Sequence, residues 1–222
     1  MDAKGFIQVI EHLKHASALR QAPVYRIKTA RASSPFAILV GTLLSSRTQD
    51  TVTAAALNRL LQVAPSPERL AAMDEDTIAR HIYPVGFYRA KAHHLRKLAT
   101  VLVERYGGRI PQTREELMRL PGVGRKTANL VLGEAFGMPA VCVDTHVHRI
   151  ANRLGIVRTR TPEETERALM EKLPTSVWRD INPVLVALGQ TICLPRRPRC
   201  EVCPVASWCE RVGVPSASRS RK

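Results

Sequence analysis

Four cysteines crowd one short stretch of this chain, Cys193-x6-Cys200-x2-Cys203-x5-Cys209, and no other feature limits the fold as much. Four thiols within 17 residues must be bridged, buried separately or bound to metal. The start, Met1 to Arg20, carries acids and polar breaks and lacks the apolar core of an export signal, so metal ligation is expected over disulfides. Soft thiolates suit a tetrahedral zinc or a [4Fe–4S] cluster. Structural zinc usually uses two Cys-x-x-Cys knuckles, whereas this run has one. The uneven spacing favours a loop around the larger cubane, and Pro195, Pro198 and Pro204 keep that loop out of helix. Cys142 stands apart in an apolar run and reads as a small buried hydrophobe.

The charge points to a polyanion. Lys and Arg number 34 against 19 Asp and Glu in 222 residues, a net charge of +15. Nucleic acid and anionic membrane therefore lead the candidate partners. No apolar run approaches the ~20 residues of a membrane span. A chain with 45% hydrophobic and 24% charged residues is neither disordered nor collagen-like. The basic residues cluster over Arg80–Arg109 (Arg80, Arg89, Lys91, Arg96, Lys97, Arg105, Arg109) and again over Cys193–Lys222. A solvated face is the plain alternative for either stretch.

Helical signals dominate. Pro35 opens a helix with Phe36, Ile38, Leu39, Leu43 and Leu44, and Asp50 opens one with Leu57, Leu60 and Leu61. Ser66-Pro67 and Asp74 cap two short helices, and Tyr88–Tyr106 forms a long one stopped by Gly107-Gly108. Thr113 with Glu116, and Thr161 with Glu164, are capping boxes. Helices over Lys126–Phe136, Thr145–Leu154 and Pro183–Cys193 complete an all-α chain, with Ala140–Val143 as a short candidate strand.

Leu120-Pro-Gly-Val-Gly124 reads as a tight turn between helices, followed by Arg125-Lys126. Gly122 and Gly124 let backbone N–H groups approach a phosphate, and the next helix N-terminus adds favourable potential. Such a contact holds the backbone and carries no base information. Lys126 falls in the first turn of that helix. The positive helix end disfavours an ammonium there and, with burial, would free the amine for nucleophilic use; a phosphate-contacting lysine is the alternative. Asp144 stands at the next helix start, as an N-cap, an active-site carboxylate or both. His146 and His148 are two apart and share no helix face, so His146 reads as a hydrogen-bonding support rather than half of a metal pair.

Leu120–Asn129, Val143-Asp-Thr-His146 and the 6-2-5 cysteine spacing together resemble the endonuclease III family of helix-hairpin-helix DNA glycosylases, in the family's order from about Ser34 to Cys209. The resemblance implies two helical lobes with DNA at the cleft between them: a six-helix barrel over 28–138 with the hairpin, and an iron–sulfur lobe over 1–27 and 139–214, with 215–222 as a basic tail. It implies excision of oxidised pyrimidines from duplex DNA, then strand cleavage at the abasic site by a cytoplasmic, nucleoid-associated monomer. Lys126 falls on the family's catalytic lysine, Asp144 on its aspartate, and Cys193, Cys200, Cys203 and Cys209 on the ligands of a [4Fe–4S] cluster. Gly122, Val123, Gly124, Arg125, His146, Arg47 and Phe87 fall on the DNA-contacting side. Arg47 stands where the family usually has Gln to fill the gap left by the flipped base, and a guanidinium can donate there but not accept. Phe87 falls on an apolar wedge. The rival readings are a monofunctional or mismatch-specific glycosylase of the same superfamily, which would lack Lys126, and a non-enzymatic iron–sulfur DNA-binding protein.

Overall fold

The computed structural model describes residues 1–25 and 34–214; the basic tail at 215–222 and the 27/28 lobe boundary lie outside the described residues. The chain is all-helical over that range. Helices begin where short polar side chains cap them. Ser34 Oγ accepts the Ala37 N–H at 3.1 Å and opens Pro35–Ser45. Asp74 does the same for Glu75–Ile82, through the Thr77 N–H at 2.8 Å. Thr113 and Thr161 cap Arg114–Met118 and Pro162–Lys172. The long Tyr88–Tyr106 helix ends at Gly107, whose φ of 57° lets its N–H turn back to the Leu102 carbonyl.

Two compact units form, one from residues 1–22 with 143–222 and the other from 23–142. In the second, Pro35–Ser45 is apolar on nearly every side and is buried at Phe36, Ile38, Leu39, Val40 and Leu44, so it forms the middle of its unit. Around it, Asp50–Val63, Glu75–Ile82, Tyr88–Tyr106 and Arg125–Phe136 contribute Leu57, Ile78, Leu95 and Val131 to one core. In the first unit, Ala3–His15 packs on Trp178–Thr191, and Phe6, Ile10, Ile181 and Leu185 are fully buried. Lys14 bridges Glu11 and Asp180 there, at 3.1 and 2.9 Å, a partly exposed pair worth little on its own.

Two expectations need correction. Ala140–Val143 is buried but forms no strand, and no strand occurs among the described residues. One bond that a partner strand would have supplied comes from a side chain instead: Asn129 Nδ2 donates to the Val141 carbonyl at 3.0 Å. The last long helix runs Trp178–Thr191 rather than Pro183–Cys193, with Pro183 inside it. One missing N–H is tolerated because Ile181, Val184, Leu185 and Leu188 share a buried face.

Candidate functional site

The hairpin sits between Arg114–Met118 and Arg125–Phe136. Gly122 turns the chain at φ 78°, and the Val123 N–H closes the turn on the Leu120 carbonyl at 3.1 Å. Val123 is buried, so its side chain anchors the turn, while Gly122, Gly124 and Arg125 are exposed. Gly124 is the N-cap of Arg125–Phe136 at φ −94°, without a side-chain cap. A Cβ at Gly124 would meet nothing within 4 Å. Neither its backbone nor its neighbours in the chain require glycine. The bare position faces outward, at a helix end that attracts anions.

Lys126 lies in the first turn of that helix and is exposed, so the burial half of its expectation fails. Beneath it, the buried Cys142 donates its Sγ–H to the Lys126 carbonyl at 3.6 Å, which links the lysine's backbone to the end of its unit. Asp144 caps Thr145–Leu154. Its Oδ1 accepts from the N–H groups of both His146 and Val147, each at 2.9 Å, which fixes a half-buried carboxylate at the helix end.

His146 also holds structure. Its Nδ1 lies 3.1 Å from Arg149 Nη2; a guanidinium only donates, so Nδ1 accepts and Nε2 carries the proton. The same Nη2 reaches the Cys193 carbonyl at 2.9 Å. Four residues on, Arg153 donates to Cys193 Sγ at 3.3 Å and to the Leu194 and Pro195 carbonyls at 2.7 Å. The Asp144 helix and the cysteine loop are thus joined by two arginines on one helix face.

Cys193, Cys200, Cys203 and Cys209 line one partly open pocket, together with Arg153 and Val205. Burial first, and then crowding by the other thiols, pushes Cys203 and Cys209 up, against a backbone N–H bond that lowers each. Ionising four thiols here therefore needs cationic metal to offset the charge, and the donor set fits an iron–sulfur cluster.

Arg47 and Phe87 come together in the 23–142 unit. Both are exposed, and the Arg47 guanidinium lies 5.5 Å from the Phe87 ring centroid.

Residues 40–175 match the profile of the HhH-GPD superfamily base excision DNA repair proteins, and 193–209 match the iron–sulfur binding domain of endonuclease III. Endonuclease III of Thermotoga maritima is 48% identical over 180 residues, 81% of this chain and 84% of that one. This chain belongs to the endonuclease III family. It is a base excision DNA repair protein with an iron–sulfur cluster. Among solved structures, a non-covalent endonuclease III–DNA complex superposes with a TM-score of 0.83 at 31% identity, covering 95% of this chain and 96% of that one. A trapped covalent endonuclease III–DNA intermediate gives 0.76 at 36%, covering 80% and 84%.

Sequence reasoning passed over several residues of this endonuclease III-family chain. Arg149 and Arg153 stand four apart beside Asp144, and that spacing was the available signal. Gly189 carried none: a Cβ there would overlap the His146 ring and come within 2.9 Å of Arg149 Nη2. Lys91 was one more charge in a basic run, yet its Nζ is tied to the turn that carries Arg47.

Proposed function

We propose that this chain excises oxidised pyrimidines from duplex DNA and then cleaves the strand through a Schiff base on Lys126. The observation that carries the reading is the hairpin: an outward-facing, bare Gly124 at an anion-attracting helix end, with Lys126 exposed in the next turn. That geometry suits a phosphate held by backbone while a nearby amine attacks the sugar. Gly122 and Arg125 join the phosphate contact, and Arg47 and Phe87 enter the gap left by the flipped base.

Chemically, the Lys126 amine attacks C1′ as the glycosidic bond breaks and its electron pair leaves with the base. Asp144 stabilises positive charge on the sugar and takes the lysine proton. The amine lone pair then opens the sugar ring: C1′=N forms, C1′–O4′ breaks, and O4′ takes back the proton that Asp144 had accepted. The resulting iminium acidifies C2′–H; loss of that proton forms the C2′=C3′ bond and expels the 3′ phosphate. These steps are redox-neutral. When bound, the [4Fe–4S] cluster supplies iron–thiolate bonds that cross-link the loop from Cys193 to Cys209. In this scheme the protein acts as a monomer on damaged or abasic duplex DNA. Among the described residues no helix is long and apolar enough to cross a membrane, and the net charge of +15 favours a place on the nucleoid in the cytoplasm.

Borohydride reduction during turnover is expected to trap wild-type protein on DNA, and Lys126→Ala to lose the trapped species while still binding duplex. Trapping that persists in Lys126→Ala would move the nucleophile elsewhere. Protein without four iron and four sulfide per chain, about the cubane stoichiometry, would remove the [4Fe–4S] assignment.

A further inference from the structure

Arg47 and Phe87 both hold left-handed backbone, at φ 53° and 58°. Such backbone is disfavoured outside glycine and persists only where the surroundings over-determine it. Here they do. Thr48 Oγ1 accepts the Gly86 N–H at 3.0 Å, joining the two turns. Their approach needs Gly86 itself, since a Cβ there would lie 2.6 Å from the Arg47 carbonyl oxygen. Arg59 Nε donates to the His81 carbonyl at 3.1 Å and its Nη2 to that of Tyr83, which pins the approach to Phe87.

Lys91, in the first turn of Tyr88–Tyr106, completes the frame. Its Nζ donates to the Leu44 carbonyl at 2.8 Å, the Ser46 carbonyl at 2.6 Å and Thr48 Oγ1 at 3.3 Å. An ammonium has three protons, and all three go to one turn. Burial pushes Lys91 down to about 8, in keeping with a cation drawn out of water.

We propose that Lys91 is a positioning residue for damage recognition: it ties the Arg47 turn to the helix that follows Phe87, so that the two side chains enter the duplex as one preset pair. The inference rests on the reading of Arg47 and Phe87 as duplex-probing residues. A preset pair has less freedom to lose when it enters the base stack, which favours opening.

The test follows duplex opening by stopped-flow fluorescence of 2-aminopurine placed beside an oxidised pyrimidine, using the full cluster-loaded chain. Four proteins are compared: wild type, Lys91→Met, Arg47→Ala with Phe87→Ala, and the triple variant. Lys91→Met is expected to slow opening about fivefold or more in the wild-type background and less than about twofold in the truncated one, the mark of action through those side chains. Its salt slope for duplex binding should equal that of wild type. Equal slowing in both backgrounds, or a slope shallower by about one unit, would overturn the proposal and make Lys91 a general stabiliser or a phosphate contact. Full-speed opening by the Arg47→Ala, Phe87→Ala protein would instead remove the duplex-probing reading, and it would show without any change at Lys91. Thr48→Val, which removes the shared hydroxyl, repeats the test if Lys91→Met does not fold; the same coupled loss is expected, and an additive one overturns the idea.

Discussion

Gly124 separates what the fold needs from what the ligand needs. With open space around its Cβ position and an ordinary φ, Gly124→Ala should change folding stability by less than ~1 kcal/mol. If a phosphate meets the hairpin backbone there, the added methyl should weaken duplex binding about tenfold through a displaced charge-assisted hydrogen bond. Urea unfolding beside fluorescence anisotropy checks both halves, and unchanged affinity would take Gly124 out of the interface. Arg47 makes a different kind of difference. Stacked 5.5 Å from the Phe87 ring and equipped only with donors, its guanidinium should favour an orphaned base that presents acceptors, such as guanine. Arg47→Gln is therefore expected to lower the ratio of excision opposite guanine to that opposite adenine, by about fivefold. The same ratio in both proteins, at one salt and with one lesion, would leave Arg47 as a backbone contact.

At the scale of elements, the Thr145–Leu154 helix carries several functions on one short stretch. It is capped by Asp144, it seats His146 and Arg149 against Gly189 of the Trp178–Thr191 helix, and it presents Arg153 to Cys193. Gly189→Ala sets two effects against each other. Helix propensity alone would stabilise by about 1 kcal/mol. The added methyl, however, overlaps the His146 ring and crowds Arg149 Nη2 at 2.9 Å, and such overpacking costs about 1–3 kcal/mol. We expect the clash to win, with net destabilisation of about 1 kcal/mol measured by urea unfolding of the cluster-loaded protein. A gain in stability would mean that the two helices are not held at this spacing.

For the whole molecule, charge sets the range of action. With a net charge of +15, and with basic residues along Arg80–Arg109, contact with about five phosphates should give a slope of log K against log salt of roughly −4 to −5. A flat response in a binding titration would remove those stretches from the interface. The all-helical class, the helix starts at Pro35, Asp74, Thr113 and Thr161, the glycine stop at Gly107 and the hairpin were all legible in the sequence, because capping and apolar spacing act within a turn or two of chain. The cysteine set was legible for a related reason: its ligand spacing is short. What stayed hidden depended on distant partners. Ala140–Val143 has strand composition but no strand to pair with among the described residues, and Asn129 bonds the Val141 carbonyl instead. Arg153 finds Cys193 forty residues away, and Lys91 finds Leu44 across forty-seven. A lysine on a basic helix reads the same whether water or three oxygens surround it. By itself the sequence determined the elements and the chemical groups they carry; only the tertiary structure decided which of those groups hold one another in place, because long-range contacts leave no periodic trace along the chain.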